Sequence, residues 1–173
     1  LGYVFWPSIV ALHALAAGEW HWRFVRDVSM DRAQIEAVFA GLERYFDPPR
    51  HAYNAWVTFP GNDDKYYDDN ALAIVALVDC YVATLDMVYL DRAWEIMSGF
   101  VYGGWDPSGD PGGVRWGTDP SKPGTSHKTV SATAFAALAA FRLAEHHPTG
   151  RNGFDRAFNI EWGYSALDWI WTK

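Results

Sequence analysis

Two adjacent carboxylates, Asp68 and Asp69, are the residues of this sequence best suited to chemistry. They stand in Tyr66-Tyr67-Asp68-Asp69-Asn70-Ala71-Leu72, after a polar stretch (Gly61-Asn62-Asp63-Asp64-Lys65) and before a long apolar run. From Ala71 the apolar residues recur at Val75, Val78, Val82 and Leu85, the spacing of one helical face. The pair therefore falls at or just before a helix N-terminus. Two roles suit that place. Asp satisfies the orphan N–H groups of a helix start, which makes the pair caps. Neighbouring carboxylates also drive their pKa values apart, and a helix start favours the ionised form of whichever faces it. An ionised nucleophile beside a protonated acid is the asymmetry that cleavage of a glycosidic bond requires.

The elements that must position this pair are helices, and the fold class is all-α. Six helical segments are expected, at about 3–18, 31–46, 69–84, 90–102, 128–146 and 155 to the end. The first, third and fifth are apolar nearly all round, which predicts burial on every side; Asp79 is the one acid inside the third. The second, fourth and sixth carry charge opposite an apolar stripe and belong outside. Inner helices starting near residues 4, 69 and 128 repeat at intervals of about 60 residues, a loose repeat of helical hairpins. Three hairpins make half of a closed six-hairpin ring, and an open half leaves the flanks of the first and fifth helices bare. Two long loops, 48–67 and 103–126, rich in Gly, Pro, Asn and aromatics, are where function concentrates in such a frame.

Composition narrows the partners. The net charge of −7 comes without any basic run, which argues against nucleic acid. Ten Trp, nine Tyr and ten Phe exceed what a helical core needs, and the apolar C–H faces of pyranose rings stack on aromatic planes. Cys80 is alone and reads as a small core residue. No apolar run reaches the 18 residues of a membrane span. The chain opens on Leu1 directly into a helical pattern and carries no signal peptide, so it is expected to be one piece of something longer.

Other constellations fall short. Asp106-Pro107-Ser108-Gly109-Asp110 has a calcium-loop beginning, but Pro111 takes the glycine position and Gly117 the closing glutamate position. His146 and His147 are consecutive and do not share a helix face as a zinc pair does. The glycines at 103–104 and 112–113 match no phosphate loop. No metal and no cofactor is expected.

The chain resembles glycoside hydrolase family 76, the endo-α-1,6-mannanases and related mannosidases, in particular fungal members. The matching stretches are Phe5-Trp6-Pro7-Ser8, Ala52-Tyr53-Asn54-Ala55-Trp56, Phe59-Pro60-Gly61-Asn62, Tyr67-Asp68-Asp69-Asn70-Ala71, Gly104-Trp105-Asp106, Gly112-Gly113-Val114-Arg115-Trp116-Gly117 and Lys128-Thr129-Val130-Ser131. They run through essentially the whole chain. The resemblance implies an (α/α)6 barrel of which 1–173 is a partial catalytic domain, three hairpins from the N-terminal half, the rest coming from further chain or a partner. It implies retaining hydrolysis of α-mannan with Asp68 as nucleophile and Asp69 as acid/base, for which the carboxyls must approach to about 5–5.5 Å. It further suggests Trp56, Tyr67, Trp105 and Trp116 as subsite walls, Asn54, Asp106 and Lys128 as hydroxyl contacts, and a secreted or cell-wall location. Alternatives are a cell-wall mannan transglycosidase, a non-catalytic carbohydrate-binding toroid fragment, and a structural hairpin domain in which the two aspartates are caps.

Overall fold

The computed structural model of the chain describes residues 5–57, 63–109, 112–147, 149 and 154–173. The Phe59–Asn62 stretch and the Asp110–Pro111 corner singled out above lie outside the described residues. Six helices follow one another: α1 (Phe5–Arg26), α2 (Arg32–Leu42), α3 (Tyr67–Thr84), α4 (Met87–Gly99), α5 (Val130–His146) and α6 (Arg156–Trp171). Each consecutive pair packs as a hairpin, and α3 lies between α1 and α5. Inner helices α1, α3 and α5 are thus backed by outer helices α2, α4 and α6. Among the described residues, strand is confined to two antiparallel pairs of two residues each, β1 (Phe46–Asp47) with β2 (Ala52–Tyr53) and β3 (Trp105–Asp106) with β4 (Gly113–Val114), both in the connections. Among the described residues no helix is long and apolar enough to cross a membrane.

The inner helices differ in how deeply they sit. Central α3 is buried through most of its length, including Asn70, Ile74, Leu77, Val78 and Cys80. α1 does not follow the expectation of burial all round. It buries one stripe, Phe5, Ile9, Leu12, Ala16 and Glu19, and leaves Trp6, Val10 and Trp20 between 42% and 50% exposed. On α5, Val130 and Leu138 are likewise open. The cause is position: α3 has an inner neighbour on both sides, α1 and α5 on one.

Four helix bounds depart from the sequence reading by three residues or more, among them the end of α4 at Gly99 instead of 102. α1 runs eight residues past Gly18, because that glycine is a close approach and not a stop: a Cβ there would meet the Asp31 carboxylate at 2.7 Å. The fully buried Glu19 beyond it serves the next helix. Its carboxylate accepts from Ser29 Oγ (2.6 Å), Met30 N (3.0 Å) and Asp31 N (2.8 Å), satisfying donors at the entry to α2. Burial alone would push the Glu19 pKa up; those hydrogen bonds and Arg23 outweigh it and hold it low. α2 stops at Leu42 instead of 46, where a 3-10 turn leads into β1. α4 starts at Met87 instead of 90, since left-handed Leu85 (φ 61°) ends α3 and Asp86 caps α4 by accepting from Val88 N at 3.1 Å.

Candidate active site

The start of α3 is built from both long loops. Asn70, fully buried, ties the first loop down: its amide donates to Tyr53 O (3.0 Å) and Tyr66 O (2.9 Å), and its Oδ1 accepts from Tyr53 N (2.7 Å). The segment after β4 then crosses the helix mouth as an extended strap. Tyr67 N donates to Trp116 O at 2.9 Å, Trp116 N to His127 O and Gly117 N to Thr125 O, each also at 2.9 Å. Below the strap the Tyr67 ring stacks on Phe100 with centroids 4.5 Å apart. It also lies against Gly104, where a Cβ would come within 2.6 Å of the ring; this close approach explains the second glycine of Gly103-Gly104-Trp105-Asp106.

Asp68 and Asp69 occupy the second and third positions of α3, after Tyr66 as N-cap. Neither is the capping residue. The Asp68 carboxylate reaches back to the Asp69 N–H at 3.0 Å, and its Oδ2 accepts from Trp116 Nε1 (3.1 Å) and from Ser131 Oγ (3.2 Å) in the first turn of α5. Burial pushes the Asp68 pKa up, and these donors hold that rise back. Asp69 is different. Burial, then the neighbouring Asp68 charge, then Asp64 push it up to about 7, and no described donor offsets the rise. Two adjacent carboxyls thus have separate environments: one cradled by donors, one poised to carry a proton near neutrality.

The other residues expected at the site divide. Trp116 joins the pair directly. Trp56, 44% exposed, donates from Nε1 to Asp64 Oδ2 at 3.1 Å, and Asp64 is one of the charges acting on Asp69. Trp105 packs on Trp162 of α6 at 5.4 Å, and Asp106 pairs with Arg115 at 3.5 Å while accepting from Ser108 N. The Lys128 ammonium bonds the Ser108 and Asp106 carbonyls, so these three residues form one bound unit at the β3–β4 hairpin. Tyr67 and Asn54 are placed as scaffold. The Tyr67 ring is sandwiched as described, and Asn54 is fully buried, accepting from Lys65 Nζ at 2.8 Å. Lys65, itself buried, also meets Asp47 (2.8 Å) and Asp63 (2.6 Å), clamping the first loop from inside.

Four residues of the site were not anticipated: Ser131, Tyr66, Asp64 and Lys122. Ser131 had a readable signal, because the first turns of neighbouring inner helices share the mouth. Tyr66, packed at a tilt against Trp116 with centroids 5.0 Å apart, borders the motif. Lys122 lies in a Pro/Gly-rich loop without periodicity and announces nothing. A cavity of about 520 Å³ lined by His51, Arg92, Glu95 and Phe154 contains neither aspartate, so chemistry and not cavity size marks the site. Among the described residues no group of three or more His, Cys, Asp or Glu could hold a metal ion.

Inner helices backed by outer ones are the layout of an α/α toroid, and paired carboxyls of unlike basicity stand at the inner mouth. Comparison with known proteins narrows this. The profile of glycosyl hydrolase family 76 matches residues 3–173, and the chain belongs to that family. It is 32% identical over 146 residues to the meiotically up-regulated gene 191 protein of Schizosaccharomyces pombe, an alignment covering 82% of this chain and 31% of that one. Among solved structures it is similar to a GH76 alpha-mannanase of Bacteroides thetaiotaomicron (TM-score 0.78, 22% identity), over 96% of this chain and 43% of that chain. A family 76 glycoside hydrolase from a bovine strain of the same species gives a TM-score of 0.75 at 21% identity, over 98% and 34%. At these identities the structural likeness establishes the fold: three helical hairpins of an (α/α)6 barrel. The chain spans less than half the length of each of these relatives.

Proposed function

We propose that this chain supplies the double-carboxylate centre of a retaining glycoside hydrolase acting on α-1,6-linked mannan. The observation that carries the reading is the unlike treatment of two adjacent acids: donors on Asp68, burial and like charge on Asp69. Asp68, whose carboxylate accepts from Trp116 and Ser131, attacks the anomeric carbon. Asp69, protonated, gives its proton to the glycosidic oxygen as the C–O bond breaks, and the leaving sugar departs as an alcohol. A mannosyl ester of Asp68 remains. Asp69, now a carboxylate, takes a proton from water, whose oxygen attacks the same carbon and frees Asp68; two inversions retain the configuration.

The bare flanks of α1 and α5 support a second element of the reading, that further helical hairpins close the ring in the working enzyme. Roughly 25 cal/mol is at stake per Å² of apolar surface so covered, and the substrate groove is completed by the same closure. The mannan linkage and the order of the two acids rest on family membership.

Azide rescue in the polypeptide carrying this chain tests the assignment. With Asp68→Ala and an activated α-mannoside, azide should yield the inverted β-mannosyl azide; with Asp69→Ala it should yield the retained α-azide. Exchanged configurations would reverse the roles. Full activity in both variants would leave the pair as features of a helix start and sink the proposal.

A further inference from the structure

The loop between the strap and α5 holds a cation beside the carboxylate pair that the mechanism does not use. Lys122 Nζ lies 2.6 Å from Asp64 Oδ2, and Asp64 is largely buried while Lys122 is half-exposed. The same ammonium stands 6.0 Å from the centroid of the Tyr66 ring, and that ring packs at a tilt against Trp116, the donor to Asp68. Asp64 is also held from other directions, by Trp56 Nε1 at 3.1 Å and by the Tyr66 hydroxyl.

The turns of the loop are closed by bonds that do not involve the Lys122 ammonium. Asp119 Oδ1 accepts from Ser121 N (2.9 Å) and Oγ (2.6 Å), Lys122 N donates to Asp119 O (3.1 Å), and buried Thr125 bonds the Asp119 and Lys122 carbonyls. All of these are made by backbone or by other side chains. The ammonium takes no part in those bonds; it pairs with Asp64.

We propose that Lys122 is a positioning residue for the carboxylate pair: by holding Asp64 it limits the negative charge that Asp69 experiences and keeps Tyr66 and Trp116 seated over Asp68. This rests on the functional reading above for its meaning, though not for its measurement. The groups that face Asp69 are Asp68 on its own helix, Asp64 in the segment before it and, behind Asp64, Lys122 and Tyr66; on Asp68 the strap and α5 present only the neutral donors Trp116 and Ser131. Removing Lys122 leaves the Asp64 charge in place, since Trp56 and Tyr66 still hold it, but uncompensated. Ionised Asp69 is then disfavoured further. Removing the charge of Asp64 has the reverse effect. Opposite ends of one ion pair should thus move Asp69 in opposite directions, which no loss of packing does.

The test is a carbon-13 NMR titration of the aspartate carboxyls, with the Asp69 signal assigned by its absence in Asp69→Asn. Lys122→Met should raise the Asp69 midpoint by about half a unit, a fraction of what a directly adjacent charge produces, Asp64→Asn should lower it by a similar amount, and Lys122→Arg should restore the parent value. If Asp64→Asn does not fold, Lys122→Met and its Arg rescue decide alone. Unmoved midpoints, or shifts of one sign, overturn the inference. Mannan hydrolysis assayed in parallel separates the two claims: opposite shifts without hydrolysis would keep this inference and remove the functional reading, while hydrolysis with unmoved midpoints would do the reverse.

Discussion

Helix α3 carries acids at both ends of its inner face, and the two ends are treated in opposite ways. At the mouth, Asp68 meets neutral donors and Asp69 meets Asp68, with no cation paired to either among the described residues. Eleven residues further on, about 16 Å along the helix axis, Asp79 is held by His13 of α1 at 2.8 Å and by Arg142 of α5. The three inner helices are thus linked at one end through Asp79, which meets the His13 ring and the Arg142 guanidinium, and carry carboxyls without a cation at the other. A neutralised acid holds structure together. An acid without a cation raises the energy of the folded state, which fits the chemical role proposed for the pair.

The contrast breaks first under charge removal. Asp68→Asn and Asp69→Asn should each lower hydrolysis by roughly 10²–10⁴-fold, the range of a lost general acid or nucleophile, while the protein stays folded. Asp79→Asn should keep the chemistry and lower stability by about 1–3 kcal/mol, less than breaking a fully buried pair because both partners are partly exposed. Rate measurements with urea melts of the same three variants check this. Loss of activity in Asp79→Asn at undiminished stability would show that the two ends are not separable.

The same contrast predicts a pH dependence of stability. Folding raises Asp69 from 3.8 to about 7. Between those values the native state binds more protons than the unfolded one, so the contribution of Asp69, fully present below the lower value, is lost as pH rises through the upper. Asp69→Asn should flatten that decline and be more stable than the parent above neutrality, as expected where a residue proposed for catalysis is held at a cost in stability. Urea midpoints followed across that interval give the answer, and parallel curves for parent and variant would contradict the raised value.

How far the sequence reveals this arrangement depends on the kind of signal. Periodicity marks the inner and outer helices well, because α3 and α4 bury what their patterns say. It misplaces ends that depend on single side chains acting at a distance: Glu19 folding the entry of α2 and Leu85 with Asp86 separating α3 from α4. The Asp68–Asp69 pair is legible since its chemistry is local. Trp116 is legible through family resemblance, whereas Lys122 is invisible because only the closed loop carries it to Asp64. Asn54 and Tyr67 look like ligands for the opposite reason. A buried amide and a stacked phenol have the composition of a sugar site, and burial, which composition does not encode, makes them scaffold.

The smallest effects lie in the donors to Asp68, and they sharpen the contrast within the mouth itself. A hydrogen bond to a charged group contributes about 1.5–3 kcal/mol at most. Trp116→Phe keeps an aromatic plane against Tyr66 and removes only the Nε1 donor, so a loss of about tenfold in kcat/KM is expected, at the lower end of that range. Ser131→Ala should cost still less, on the order of two- to threefold, because its bond is 3.2 Å long and exposed. The direction carries the information. Burial already raises Asp68, and each lost donor lets it rise further toward Asp69. The acidic limb of the pH profile, which reports the nucleophile, should therefore move up while the alkaline limb, which reports Asp69, stays where it is. If Ser131→Ala moved the alkaline limb instead, the hydroxyl would be serving Asp69, and the division of labour between the two acids would have to be drawn the other way round.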